Sequence, residues 1–200
     1  MISQYNFKKG IRILGVAESF VKGIPLSTLV GVVMRGDFYI DGISLGSATV
    51  GGMDATEGVI KLFKGLDRED VNFIFLNGSV ISWFNIIDLK YLADRLKIPV
   101  ISITYEESDG LEENIKGLFD DWEDRMKLYR HLGDRKRVKL STGYEIFVRS
   151  HGLNDGDERL LLDRFTIQGK VPEPLRVAKL IARAVLRSDK AHHRKVYQSF

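Results

Sequence analysis

The stretch IRILGVAESFVKGIPLSTLVGVVMRGDFYIDGISL (residues 11–45) decides the fold. It holds three apolar runs rich in β-branched residues, at 11–17, 27–35 and 38–45. Each is too short for a core helix and is bounded by turn residues, so each reads as a strand. Gly36–Asp37 is a tight-turn pair between the second and third runs, which are therefore expected to form a hairpin. Downstream the pattern changes. Asp54 or Thr56 can cap a helix running to about residue 64, with Val59, Ile60 and Phe63 on one face. Residues 71–76 (VNFIFL) give a fourth strand and 77–84 a glycine-containing loop. Residues 85–96 place Ile86, Leu89, Leu92, Ala93 and Leu96 at helical spacing, and 98–104 (IPVISIT) give a fifth strand.

The order β-β-β-α-β-α-β departs from plain α/β alternation. An antiparallel meander followed by parallel crossovers predicts a mixed five-stranded sheet with flanking helices, the element order of the ribonuclease-H-like α/β fold. In that arrangement strand one is central and lies beside strand four. Their carboxyl ends open at one edge, where sites in open α/β sheets form. Beyond residue 105, helices are expected at 111–119, 122–132, 155–165 and 172–186, with a second hairpin from 137–140 and 144–149 around Thr142–Gly143. The chain thus reads as a single domain, 1–200, with a core at 1–105 and a helical and hairpin extension at 106–200.

Composition limits the function classes. The chain has 200 residues, of which 44% are hydrophobic and 28% charged, the balance of a globular protein. No Cys is present, which removes disulfide scaffolds, thiolate zinc sites and cysteine nucleophiles together. Lys179 and Arg183 break the longest apolar stretch, and residues 1–10 lack an apolar run, so neither a membrane span nor a secretory leader is expected. The expected location is the cytoplasm. Residues 1–119 carry 12 Lys+Arg against 15 Asp+Glu, and residues 120–200 carry 18 against 12, giving −3 and +6. A basic second part suits an anionic polymer, although charged helix faces can also be simply solvated.

Topology singles out Glu18, just past strand one, and Asn77, at the end of strand four, with Asp54 projecting toward the same edge. Two carboxylates and an amide oxygen form a hard donor set suited to Mg²⁺ or Mn²⁺, which can assist phosphodiester hydrolysis. Each residue also has an ordinary reading: Glu18 as a loop acid, Asp54 as a helix cap, Asn77 as a turn former. Asp88 is a partner for that site or a favourable acid at a helix start. Trp83 and Phe84 are candidates to stack on a base, or buried plugs. Four scattered histidines give no zinc spacing, and no phosphate-loop or dinucleotide fingerprint is present.

GVAESF (15–20), VGVVMRGDFYIDG (30–42), GGMDAT (51–56), LNGSVISWFNIID (76–88), IPVISI (98–103) and VPEPLRVAKLIARA (171–184) resemble an archaeal family named endonuclease dU, a distant relative of endonuclease V. The resemblance implies a ribonuclease-H-like, endonuclease-V-like domain that nicks nucleic acid near deaminated bases using Mg²⁺. It places Glu18 at the first-strand acid, Asp54 near the second acid and Asn77 where endonuclease V has an Asp. The loop histidine and fifth-strand lysine of endonuclease V have no counterparts; Trp83 and Tyr105–Glu107 stand there. The expected function is a Mg²⁺- or Mn²⁺-dependent endonuclease on DNA containing bases such as deoxyuridine. Glu18, Asp54 and Asn77 would carry the catalytic and metal roles, and Trp83 or Phe84 would contact an extruded base. Arg135, Lys136, Arg137, Lys139 and Arg149 would hold phosphates from one basic face. The other readings are a non-catalytic nucleic-acid-binding module that kept the fold, and a homodimeric interaction protein.

Overall fold

A computed structural model describes residues 10–197, with side chains described as far as Ser188. Residues 1–9, and the side chains of His192 and His193, lie outside the described residues. A seven-stranded mixed sheet dominates. Its strands are β1 (Arg12–Ser19), β2 (Leu26–Arg35), β3 (Ile40–Thr49), β4 (Phe73–Leu76), β7 (Val100–Thr104), β8 (Lys136–Lys139) and β9 (Glu145–His151). A two-stranded ribbon, β5 (Val80–Ile81) and β6 (Asn85–Ile86), follows β4 in the chain. The spatial order is β3-β2-β1-β4-β7-β9-β8. Only β1–β4 and β4–β7 run parallel; the other pairs are antiparallel. The expected first hairpin and the central place of strand one beside strand four are both present.

The helices are α1 (Ala55–Lys64), α2 (Leu89–Leu96), α3 (Glu112–Leu118), α4 (Trp122–His131), α5 (Asp155–Phe165) and α6 (Glu173–Tyr197). Strand alternation sorts β1 into two apolar faces. Leu14 and Val16 join Leu29, Ile74 and Leu76 under α1 and α2, while Ile13 joins Phe73, Phe75 and Ile103 under α5. Ala17, Val30 and Val32 meet Ala178 and Ala182 of α6. Six consecutive residues of β1 are buried, as expected of a strand covered on both faces. Each fully buried large side chain contributes about 1.5–3 kcal/mol by the transfer of its apolar surface from water.

Small residues let α6 approach closely. A Cβ on Gly15 would meet Pro174 backbone at 2.6 Å, so glycine here is what allows the start of α6 to lie directly on the central strand. At the sheet edge β3 is covered by α1 on one face only, and Ile43 and Leu45 on the other are more than half exposed.

Three expectations need correction. The second hairpin joins the sheet: β9 pairs antiparallel with β7, so the sheet has seven strands where five were expected. The helix expected from residue 85 starts at Leu89, because Asn85 and Ile86 form a strand and Asp88 caps the helix by accepting from Tyr91 N–H. That settles Asp88 as a helix-start acid. The last helix runs well beyond 186, to Tyr197.

Candidate functional site

The carboxyl ends of β1 and β4 adjoin, as the topology requires. Val16 pairs with Leu76, and Asn77 N–H extends the ladder by donating to Val16 O at 2.9 Å. Glu18 and Asn77 are therefore roughly 6 Å apart along the backbone, one strand spacing and one residue. Glu18 is only 9% exposed, and its Oε2 is buried without a hydrogen-bond partner. Lys179 of α6 donates to Glu18 main-chain O at 2.7 Å and holds its ammonium 3.7 Å from Oε1. Asn77 lines a different cavity of about 390 Å³, beside Thr104, Tyr105, Glu106 and Arg135, whose walls do not include Glu18. The Tyr105 hydroxyl is buried there without a hydrogen-bond partner, and burial pushes its pKa up.

Asp54 reaches the same edge two strands away and works as a brace. Its carboxylate accepts from Thr49 N–H at 3.0 Å, Thr49 Oγ1 at 2.7 Å and Asn85 Nδ2 at 2.7 Å. Partial burial disfavours ionisation, yet the bonds from Thr49 and Asn85 outweigh it and hold the carboxyl below its ordinary value. Asp54 occupies the cap position of α1 without capping it; Asn85 Oδ1 accepts from Ala55 N–H instead.

Asn85 belongs to the 77–88 loop, whose tip is unusual. Ser82, Trp83 and Phe84 all have positive φ, at 44°, 58° and 61°. For L-residues each such conformation costs about 1–2 kcal/mol and persists only where the surroundings impose it. They do so here. Ser82 Oγ donates to Ser27 Oγ, Gly51 N–H donates to Ser82 O, and the buried Arg125 donates to Gly51 O, Gly52 O and Phe84 O. Phe84 is half-buried and packs edge-on to Phe119. Trp83 is half-buried with its Nε1 unpartnered, and Lys22 sits 3.5 Å above its ring.

The basic residues divide: Arg135 and Arg137 both lie over the Phe147 ring, and Lys136 turns to the other face of the hairpin. Alternation along β8 sends Lys136 to Asp155 of α5, while Arg137 pairs with Glu107 and Glu145. Both are neutralised. Arg135 donates only to neutral oxygens of Thr104, Glu106 and Ser108, and Arg149 only to those of Gly133 and Ser79. Their positive charge is uncompensated by a bonded carboxylate. With Arg130, Tyr129 and Phe147 they line a cleft of about 510 Å³, rimmed also by Glu107, Asp109 and Glu112. Arg135 also lines the Asn77 cavity and so joins the two. His151 pairs with Val100 at the other end of β7, away from this edge.

The family model for Endonuclease dU matches residues 9–186. The chain belongs to the endonuclease dU family. The UPF0215 protein of Pyrobaculum calidifontis is 39% identical over 173 residues, covering 86% of this chain and 95% of its own. A solved protein of unknown function from Archaeoglobus fulgidus superposes with TM-score 0.75 at 27% identity, covering 88% of this chain and 98% of its own. Ciona intestinalis endonuclease V, solved with a 24mer DNA containing an inosine followed by a ribo-adenosine, superposes with TM-score 0.62 at 13% identity, covering 92% of this chain and 89% of its own. The endonuclease dU chain thus has the fold of endonuclease V, which is ribonuclease-H-like.

The divalent cation expected from the sequence would have to sit at the β1–β4 edge, between Glu18 and Asn77. Glu18 Oε2, an orphaned buried anionic oxygen, is the atom such an ion would satisfy. The other donors are sparse: Asn77 is neutral, both Asp54 oxygens are engaged, and Lys179 already places a positive charge beside Glu18. Among the described residues no three His, Cys, Asp or Glu converge on a metal-sized site. The donors fit one weakly held ion on Glu18 and do not fit a carboxylate triad. Sequence reading missed Lys179 and Arg130. Lys179 was legible as a cation inside the stripe Leu175, Ala178, Ala182, Leu186; Arg130 carries no sequence signal.

Proposed function

We propose that this endonuclease dU protein is a Mg²⁺- or Mn²⁺-assisted endonuclease acting on DNA that contains deaminated bases such as deoxyuridine. The observation that carries this reading is the buried, unpartnered Glu18 oxygen at the end of the central strand of an endonuclease-V fold. The nuclease-like role rests on the family and the fold; the deaminated base is supported by the inosine in the DNA of the Ciona protein. A bound divalent ion would activate water and stabilise charge on the phosphate. Glu18 would hold it, Asn77 would complete the edge from the neighbouring strand, and Asp54 would keep the 77–88 loop in place.

Trp83, set rigidly in its left-handed turn, would meet an extruded base, since such enzymes must take the base out of the stack. Arg135 and Arg149 would hold the phosphate backbone, because their guanidinium charge is not cancelled locally. Lys136 and Arg137 are already paired and contribute less. Incubating the protein with deoxyuridine-containing and undamaged duplexes plus Mn²⁺ tests the reading through a nick confined to the former.

One observation favours the second reading, a binding module that kept the fold. Among the described residues Glu18 is the one acid of the expected set whose carboxylate is not spent on hydrogen bonds, a donor set too sparse for tight metal binding. DNA binding without nicking at any Mn²⁺ concentration would identify that case.

A further inference from the structure

We infer that Lys179 is the phosphate-contacting cation of this site, the residue that grips a non-bridging oxygen of the nucleic-acid phosphodiester held over Glu18. The inference rests on the proposed function and adds a residue to it. Lys179 stands in the packed stripe of α6, between Leu175 and Ala182, where helical spacing calls for an apolar side chain. Its long stem crosses from that stripe to the carboxyl edge of β1, and the side chain keeps 28% exposure.

The ammonium is aimed but not consumed. It has three N–H donors, and one goes to Glu18 main-chain O at 2.7 Å. The separation from Oε1 is 3.7 Å, beyond hydrogen-bond length, so the carboxylate does not take a second donor. A lysine serving only to neutralise Glu18 would close that gap, and Glu18 would not keep Oε2 without any partner. The geometry leaves an anionic acceptor and cationic donors side by side at the end of the central strand. A phosphodiester suits the donors: its non-bridging oxygen takes the free N–H groups, while Glu18 would face the water that attacks the phosphorus or a cation that lowers that water's pKa. Lys22 stands over the Trp83 ring and Arg135 lines the neighbouring Asn77 cavity, so neither is set against Glu18 as Lys179 is.

The test compares wild type, K179M and K179R. Methionine keeps the stem and removes the charge; arginine restores charge and donors. DNA affinity is measured against salt in EDTA, where no cleavage occurs, and nicking is then measured with Mn²⁺. The expected result is that K179M flattens the slope of log affinity against log salt by about one ion. Its nicking should fall at least tenfold, with an unchanged thermal midpoint, and K179R should recover both. If K179M leaves slope and rate unchanged, Lys179 contacts no phosphate and the inference is overturned. A lowered thermal midpoint in K179M with an unchanged slope overturns it too, in favour of a tie between α6 and β1. Wild type that binds DNA and never nicks refutes the nuclease reading alone, because the slope still decides Lys179; wild type that binds no DNA refutes both.

Discussion

Asp54 and Glu18 are both acids at the same edge, yet their surroundings give them opposite roles. Asp54 accepts from three donor groups and braces a loop; Glu18 keeps one oxygen unsatisfied. The pH dependence of stability follows from Asp54. Its folded pKa lies below the ordinary value of 3.8, so its stabilisation is fully present above that value and is lost as pH falls through the lowered one. Asp54→Asn should therefore be less stable than wild type near neutrality, and the difference should shrink on acidification below about pH 4. Urea midpoints of the two proteins between pH 3 and 7 check this; a constant difference would contradict it. The positions of Glu18 and Asn77 were legible, because element order alone fixes which strand ends adjoin. The commitment of Asp54 was not. It depends on Asn85, thirty-one residues away, in a stretch whose periodicity reads as helix but which pairs as a strand.

At the level of elements, α6 on β1 is the contact that builds the site. Gly15 lets Pro174 lie against the central strand, and that close approach brings Lys179 to Glu18. Gly15→Ala inserts a methyl against backbone, which cannot yield as a side chain tip does. It should cost about 1–3 kcal/mol and reduce nicking at temperatures where the protein remains folded. Chemical denaturation and a nicking assay on the same sample measure both; full activity in a destabilised variant would mean that α6 packing does not set the site. The meander and crossovers were readable from runs and turns, and so was the 136–151 hairpin. Its place in the sheet was not, because pairing between β7 and β9 spans about fifty residues and leaves no local trace. Nor does Ser82-Trp83-Phe84 announce a left-handed turn, since none of these residues favours it and the bonds that impose it come from distant loops.

Over the whole molecule, the excess of positive charge in the second part divides into cations that are spent and cations that are not. Lys136 and Arg137 are paired with carboxylates, whereas Arg130, Arg135 and Arg149 face a cleft with no carboxylate bonded to them. Arg130 is exposed and its side chain makes no hydrogen bond or ion pair among the described residues, so trimming it should not disturb folding. Arg130→Ala should weaken DNA binding and flatten its salt dependence by about one ion, and Lys136→Ala should change neither. Fluorescence anisotropy across a salt series distinguishes them; equal effects would mean that the cleft is not the binding face.

The most direct test of the central claim is a nicking assay on matched duplexes, one carrying a single deoxyuridine and one undamaged, with Mn²⁺ present. Wild type and Glu18→Gln are run side by side. The change removes the charge of Glu18 while keeping its size, so folding should persist and any loss reports on the site itself. Wild type is expected to cut the deoxyuridine duplex and leave the undamaged duplex nearly intact, with at least a hundredfold loss in Glu18→Gln. Equal scission of both duplexes, or scission by Glu18→Gln at the wild-type rate, would contradict the claim.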